Sequence, residues 1–151
     1  TLLLIGTTSS FAATGVGLQG GYMVGANGGG SITFKLETVD LVFAADIYPG
    51  VFGLTADYWL ANPTISGTWK YFYGVGAAGS LNFANPDSLV IGLGGRALIG
   101  TNVFFLDGFL ELYLQGAWQP TIWFNASKDN TGLTGDWWYN FPVNFGLRFW
   151  F

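Results

Sequence analysis

The sequence has no cysteine and no histidine among its 151 residues. Without cysteine the chain has no disulfides and no thiolate chemistry, and it gives no indication of a redox compartment. Without histidine it lacks the usual general base at neutral pH, which argues against an enzyme. A Ser-Lys dyad remains open in principle, but the serines fall mostly in predicted turns. We therefore expect no catalytic residues.

Charge is also scarce, and long apolar runs are absent. Only 9% of the residues are charged, compared with roughly a quarter in soluble domains, whereas 50% are hydrophobic and 19% are aromatic. No apolar stretch reaches the roughly 18 residues that a membrane-spanning helix needs. A membrane protein without such helices must be a closed barrel, because hydrocarbon cannot hydrogen-bond an open sheet edge. The net charge of −4 gives no basic surface for nucleic acid.

Large apolar side chains alternate with mostly small or polar ones over residues 141–151. Because successive side chains of a strand point to opposite faces, the two kinds separate. The apolar face includes Phe145, Leu147, Phe149 and Phe151. The other face carries Arg148 and suits a narrow lumen, so the apolar face is expected to meet lipid.

The same alternation predicts eight strands. Turn signals such as Tyr48-Pro49-Gly50 separate them, and a change of phase before Leu41 requires a tight turn at 37–40. The predicted strands cover residues 14–25, 31–37, 41–47, 51–60, 68–80, 89–99, 109–119 and 141–151. The predicted fold is all-β: a closed, antiparallel, eight-stranded, up-and-down transmembrane β-barrel, whose longest outer loop covers residues 125–136.

The charged residues provide an internal check on these phases. The inward positions are Lys35, Glu37, Asp46, Asp57, Lys70, Arg96, Glu111 and Arg148. The other charges fall in or beside predicted turns, and none faces lipid, where a basic residue would cost about 2 to 4 kcal/mol. Because acidic and basic residues balance inside, we interpret all of these except Glu37 as an ion-pair network centred on Glu111, Arg96 and Arg148. A catalytic carboxylate pair among Asp46, Asp57 and Glu111 is the less favoured alternative.

Aromatic side chains are expected to form belts at the two membrane surfaces, where amphipathic rings are favoured. One belt would contain Tyr58, Trp59, Trp69, Trp150 and Phe151. The other would contain Tyr48, Trp118, Trp123 and residues 137–139. The alternative is that tryptophan and tyrosine merely follow their β-propensity.

The eight alternating strands and the ending Gly146-Leu147-Arg148-Phe149-Trp150-Phe151 resemble the small bacterial outer-membrane barrels typified by the OmpA transmembrane domain and OmpX. Segments 95–100 and 110–115 resemble a recurrent arrangement in uncharacterised bacterial barrels, including spirochaete ones. The resemblance implies localisation in the bacterial outer membrane. It also implies that Phe145, Leu147, Phe149 and Phe151 form the signal recognised by the barrel-assembly machinery.

Residues 1–12 resemble the end of a secretory signal peptide, with Ser10-Phe11-Ala12 as a small-x-small cleavage site. The alternative is an ordinary apolar segment packed on the barrel domain, which we assign to residues 13–151. We expect a structural or surface-interaction role without cofactor or metal; the alternative is a narrow, porin-like channel or conduit for small or hydrophobic solutes. The expected partners are the lipid bilayer, the barrel-assembly machinery and an unidentified extracellular ligand, but no nucleic acid. The expected state is a monomer.

Overall fold

The computed structural model describes residues 13–23, 26–126, 133–134 and 140–151. Within these ranges the chain forms strands, turns and short connections. No helix in the described part has the length and apolar character that crossing a membrane requires. The assignments made from sequence at residues 1–12 and 137–139 lie outside the described residues, as does much of the predicted loop at 125–136.

The strands follow one another in chain order. They are β1 (Thr14–Met23), β2 (Ala26–Leu36), β3 (Leu41–Tyr48), β4 (Val51–Ala61), β5 (Thr64–Ser66), β6 (Trp69–Asn85), β7 (Ser88–Phe105), β8 (Leu110–Trp118), β9 (Thr121–Asn125), β10 (Leu133–Thr134) and β11 (Val143–Trp150). Strands β6 and β7 are longer than predicted, with 17 and 18 residues. The short strands β5, β9 and β10 lie in segments that the sequence predicts as loops.

Eight of these strands form a closed ring. In the order β1, β2, β3, β4, β6, β7, β8 and β11, each pairs antiparallel with the next, and β11 pairs back to β1. Leu18 in β1 lies opposite Leu147 on one side and Ile32 on the other. The prediction of an all-β, antiparallel, eight-stranded barrel is confirmed. A closed ring has no open strand edge that would template pairing with another chain.

The ring position after β7 is shared by β8 and β9. Strand β7 pairs with β8 over residues 97–105 and with β9 over residues 90–94. Pro120 lies between β8 and β9, and proline cannot donate a backbone hydrogen bond, so the strand is interrupted there. Strand β9 in turn pairs with β10. These short strands extend the sheet at the end of the barrel opposite the amino terminus of β1.

Burial alternates along the strands with the period of two expected for β-structure. On β3 the buried residues are Val42, Ala44, Asp46 and Tyr48, and the residues between them are more exposed. The interior is therefore formed by the face that the alternation predicts.

Four predicted positions are corrected. Glu37 is exposed in the turn at 37–40 instead of lining the interior, because β2 ends before it. Tyr48 and Trp59 are expected in the aromatic belts at the two membrane surfaces. Both are instead buried in the barrel, because the alternation along β3 and β4 points these residues inward. Trp150 also points inward and donates a hydrogen bond to a buried carboxylate.

The pairing of β1 with β11 can be tested by a disulfide, because the chain has no cysteine of its own. Leu18→Cys combined with Leu147→Cys places two thiols directly opposite each other, and a disulfide joins Cα atoms about 4.4 to 6.8 Å apart. We expect oxidation to circularise the folded chain and change its mobility on a non-reducing gel. Leu18→Cys with Phe145→Cys is the control, because Phe145 lies opposite Gly20. Equal crosslinking of both pairs would contradict this register.

Candidate functional site

The barrel has an apolar exterior and a polar interior. Every one of its eight strands exposes large apolar side chains; Leu18 is 61% exposed and Leu114 is 49% exposed. In contrast, the charged residues on the described strands all face inward. They are Lys35, Asp46, Asp57, Lys70, Arg96, Glu111 and Arg148, of which six are buried and Lys70 is half-buried. The exposed charges of the described residues are confined to turns. The interior is therefore the candidate functional site.

Glu111 in β8 is fully buried and accepts three hydrogen bonds. Arg148 in β11 donates from Nη1 at 3.2 Å, Trp150 donates from Nε1 at 3.0 Å, and Asn102 donates from Nδ2 at 2.8 Å. Glu111 and Arg148 lie directly opposite each other in the β8–β11 register, which brings their side chains together on the inner face. These donors satisfy the buried carboxylate, as a buried charge requires.

Arg148 is held by a second set of neighbours. Its Nε donates to Thr33 Oγ1 at 3.3 Å, and its guanidinium carbon lies 3.9 Å from the centre of the Tyr113 ring. The Tyr113 hydroxyl donates to Gln19 Oε1 at 2.7 Å. Arg148 Nη2 is buried without a hydrogen-bond partner among the described residues. This cluster links four neighbouring strands, β8, β11, β1 and β2, on the inner face of the barrel.

A second ion pair joins Arg96 in β7 to Asp57 in β4, with Nε 2.8 Å from Oδ1. Arg96 also donates from Nη1 to Gln119 Oε1. Gly76 on the intervening strand lies opposite both residues in register, and a Cβ there would lie 2.1 Å from the Asp57 carboxylate. The glycine therefore leaves the space in which the pair forms. Elsewhere in the lumen, the Ser31 hydroxyl donates to Asp46.

The expected pairing of Glu111 with Arg148 is confirmed, but the expectation that Arg96 joins them is wrong. Strand β7 places Phe104, not Arg96, opposite Glu111. Arg96 lies farther along β7 and meets Asp57 instead. The interior therefore contains two ion pairs with separate partners.

An aromatic stack occupies part of the lumen. The rings of Trp59 and Phe72 are nearly parallel, with centroids 3.8 Å apart, and both side chains are almost completely buried. Arg148 approaches the same Trp59 ring at 5.5 Å. Gly100 makes room for the stack, because a Cβ there would lie 2.3 Å from the Phe72 ring. Gly146 does the same for Tyr113, at 2.5 Å.

The two lysines of the predicted network have no ion pair among the described residues. Lys35 Nζ lies 3.7 Å from the centre of the Trp59 ring, and Lys70 Nζ lies 5.5 Å from the centre of the Phe104 ring. Both line a cavity of about 530 Å³ at the barrel end where β1 begins. In the described part of the chain, no group of acidic side chains is arranged to hold a metal ion.

Sequence reasoning missed the neutral partners of the ion pairs. Asn102, Gln119 and Thr33 each donate to or accept from a buried charged group. For Thr33 and Gln119 the sequence signal is an inward position in a predicted strand, which does not distinguish a hydrogen-bonding partner from a space-filling residue. Asn102 lies beyond the predicted strand at 89–99, so the sequence gives no such signal for it.

The predicted assembly signal lies on the outward face of β11 and just beyond it. Phe145 and Phe149 are exposed, Leu147 is half-buried and Phe151 follows the strand in an exposed position. Recognition of these residues by an assembly machinery stays a prediction.

Comparison with protein-family models, curated proteins and solved structures gives no match to this chain. The function is therefore argued from its own geometry.

The Glu111–Arg148 pair should stabilise the fold. We expect Glu111→Gln to lower the free energy of unfolding by about 3 to 5 kcal/mol, because Arg148 would remain buried without its counter-charge. Denaturant unfolding in detergent measures this change. The control is Asp87→Asn, which alters an exposed carboxylate in a turn and should shift stability by less than about 0.5 kcal/mol. The same small effect from both variants would contradict the pairing.

Proposed function

We propose that this chain is a small bacterial outer-membrane β-barrel with a structural or surface-interaction role. The observation that carries the proposal is the apolar exterior of all eight strands, combined with charges that face only the lumen or the turns in the described residues. Outer-membrane barrels have this distribution, with an apolar band outside and a polar interior. A soluble barrel would expose polar groups on the same surface.

Strand length supports the same proposal. A membrane-spanning β-strand needs about 9 to 11 residues, and β1, β2, β3, β4, β8 and β11 have 8 to 11. Strands β6 and β7 exceed this length, so part of their hairpin would project beyond the bilayer. Strands β9 and β10 widen the sheet beside it. With the termini on the periplasmic side, this extension would face the outside of the cell and would form the surface that binds a partner.

The filled lumen supports a structural role over transport. An eight-stranded barrel is just wide enough for side chains to fill it, and the Trp59–Phe72 stack and both ion pairs occupy that space. The alternative is a narrow conduit for small or hydrophobic solutes. The cavity at one end favours it, because solutes could enter there.

Contact with lipid can be tested by placing a charge on the outer wall. Leu18 lies near the middle of β1 and faces outward, so Leu18→Arg should destabilise the barrel in lipid vesicles by about 2 to 4 kcal/mol. Leu106→Arg is the control, because Leu106 is 70% exposed in the turn between β7 and β8. Unfolding with denaturant in vesicles gives both values. A neutral Leu18→Arg would mean that the wall faces water.

Closure of the lumen can be tested by electrical recording in planar bilayers. The unaltered barrel should show no steady conductance, and Trp59→Ala should introduce steady openings because it removes half of the aromatic stack. Trp69→Ala is the matched control, since Trp69 faces outward and lies outside the lumen. Steady conductance in the unaltered protein would contradict the structural role and favour the narrow conduit.

A further inference from the structure

The cavity at the end of the barrel where β1 begins differs in character from the rest of the lumen. Its mouth is bordered by Glu37 and Asp40, which are exposed in the turn between β2 and β3. Its wall includes Phe104, Trp150 and two lysines, Lys35 and Lys70. The volume of about 530 Å³ falls within the range of about 300 to 1,000 Å³ that small-molecule pockets occupy.

Lys35 is the unusual group in this cavity. It is 5% exposed, and its Nζ has no ion pair or hydrogen bond to any residue in the described ranges. Its contacts are with the faces of two rings, Trp59 at 3.7 Å and Trp150 at 5.5 Å. Cation–π contacts contribute about 0.5 to 2 kcal/mol, whereas burying an ion costs several kcal/mol. An anion in the cavity would offset the part of this burial cost that the ring contacts leave uncompensated.

The other polar groups around Lys35 are already engaged or solvated. Glu111, the nearest carboxylate of the lumen core, accepts its hydrogen bonds from Arg148, Trp150 and Asn102. Asn62 donates its amide protons to Asn102 and to the Tyr71 carbonyl. The carboxylates of the mouth are in contact with water. The deep part of the cavity is therefore cationic.

We propose that this cavity binds a small organic anion. Its carboxylate or phosphate would pair with Lys35 and Lys70, and its apolar body would lie against Phe104 and Trp150. A free phosphate ester and a lipid headgroup share this chemistry. The site is reached from the barrel end, so binding of a soluble anion does not depend on the function proposed above, whereas binding of a lipid headgroup rests on it.

The chain has three lysines, Lys35, Lys70 and Lys128, which makes the site observable by NMR with ¹³Cε-labelled lysine. The full chain, folded in non-ionic detergent, is titrated with phenyl phosphate, and lysine-to-arginine variants assign the signals. We expect saturable shifts of the Lys35 and Lys70 signals and an unchanged Lys128 signal. Benzyl alcohol, which has the ring without the charge, should shift none of them. Uniform shifts of all three lysines, or none, would overturn the proposal.

Variants that remove either a positive or a negative charge from the cavity provide a second test. Lys35→Met should weaken phenyl phosphate binding about tenfold, the loss expected for one charge-assisted contact of about 1.4 kcal/mol. Lys70→Met should weaken it too, and this half-buried position serves if Lys35→Met does not fold. Glu37→Gln should tighten binding, because it removes a negative charge from the mouth. Binding that is insensitive to both lysines, or lost in Glu37→Gln, would refute an anion site.

The source of the anion is distinguished in a separate arm. The same labelled protein is placed in phosphatidylcholine nanodiscs, with or without phosphatidylglycerol, and no phenyl phosphate. Shifts of the Lys35 and Lys70 signals that require phosphatidylglycerol would assign the site to an anionic headgroup. Shifts only on adding phenyl phosphate would assign it to a soluble anion.

Discussion

The closed ring of backbone hydrogen bonds is the constraint on which the rest of the structure depends. Strands β1 and β11 come from the two ends of the described chain, and their pairing leaves no barrel edge open. In hydrocarbon each unpaired N–H or C=O group would cost several kcal/mol, so only a closed ring is compatible with an apolar wall of this kind. Closure also fixes the width of the lumen. In an eight-stranded ring the lumen holds side chains and little else, so every polar group there must find a partner nearby.

The interior meets most of that demand by combining ion pairs with neutral hydrogen-bonding groups and glycines, although Arg148 Nη2 is buried without a partner among the described residues. Asn102 and Thr33 complete the Glu111–Arg148 pair, and Gln119 completes the Arg96–Asp57 pair. A polar network whose members are satisfied is rigid, whereas a half-satisfied one is less stable than an apolar core. Glycines on the neighbouring strands, Gly100 beside Phe72 and Gly146 beside Tyr113, leave space on the inner face for the large rings. The side chains that stabilise the interior are therefore also the ones that occupy the lumen.

The alternation of apolar and polar side chains is sufficient to predict the barrel. Whether a residue occupies an odd or an even position in its strand, its parity, fixes the face to which it points, and each strand shows this independently. Parity also placed Lys35, Asp57 and Arg96 inside. It places Glu111 near Arg148 correctly, but it does not predict that Arg96 meets Asp57, since that pairing depends on the register of strands far apart in sequence. Arg96 reaches Asp57 over a strand that carries glycine between them, and no pattern within one strand shows this. Trp59 was misplaced because its chemistry suits a membrane surface, whereas its parity, shared with Asp57, points into the lumen.

The polar interior is asymmetric, because its centre contains ion pairs whereas the lysines at one end have none among the described residues. At its centre, Arg96 and Arg148 each have a carboxylate within hydrogen-bonding reach, and Asp46 accepts a hydrogen bond from the Ser31 hydroxyl. Toward the end where β1 begins, Lys35 and Lys70 contact aromatic rings instead. A sequence selected for stability alone would place a carboxylate beside a buried lysine or replace the lysine by an apolar residue, because an unpaired buried charge is costly. Folded proteins break such rules mainly at functional sites. The interior of this barrel is therefore best understood as a stable paired core that supports an unpaired cationic cavity at one end.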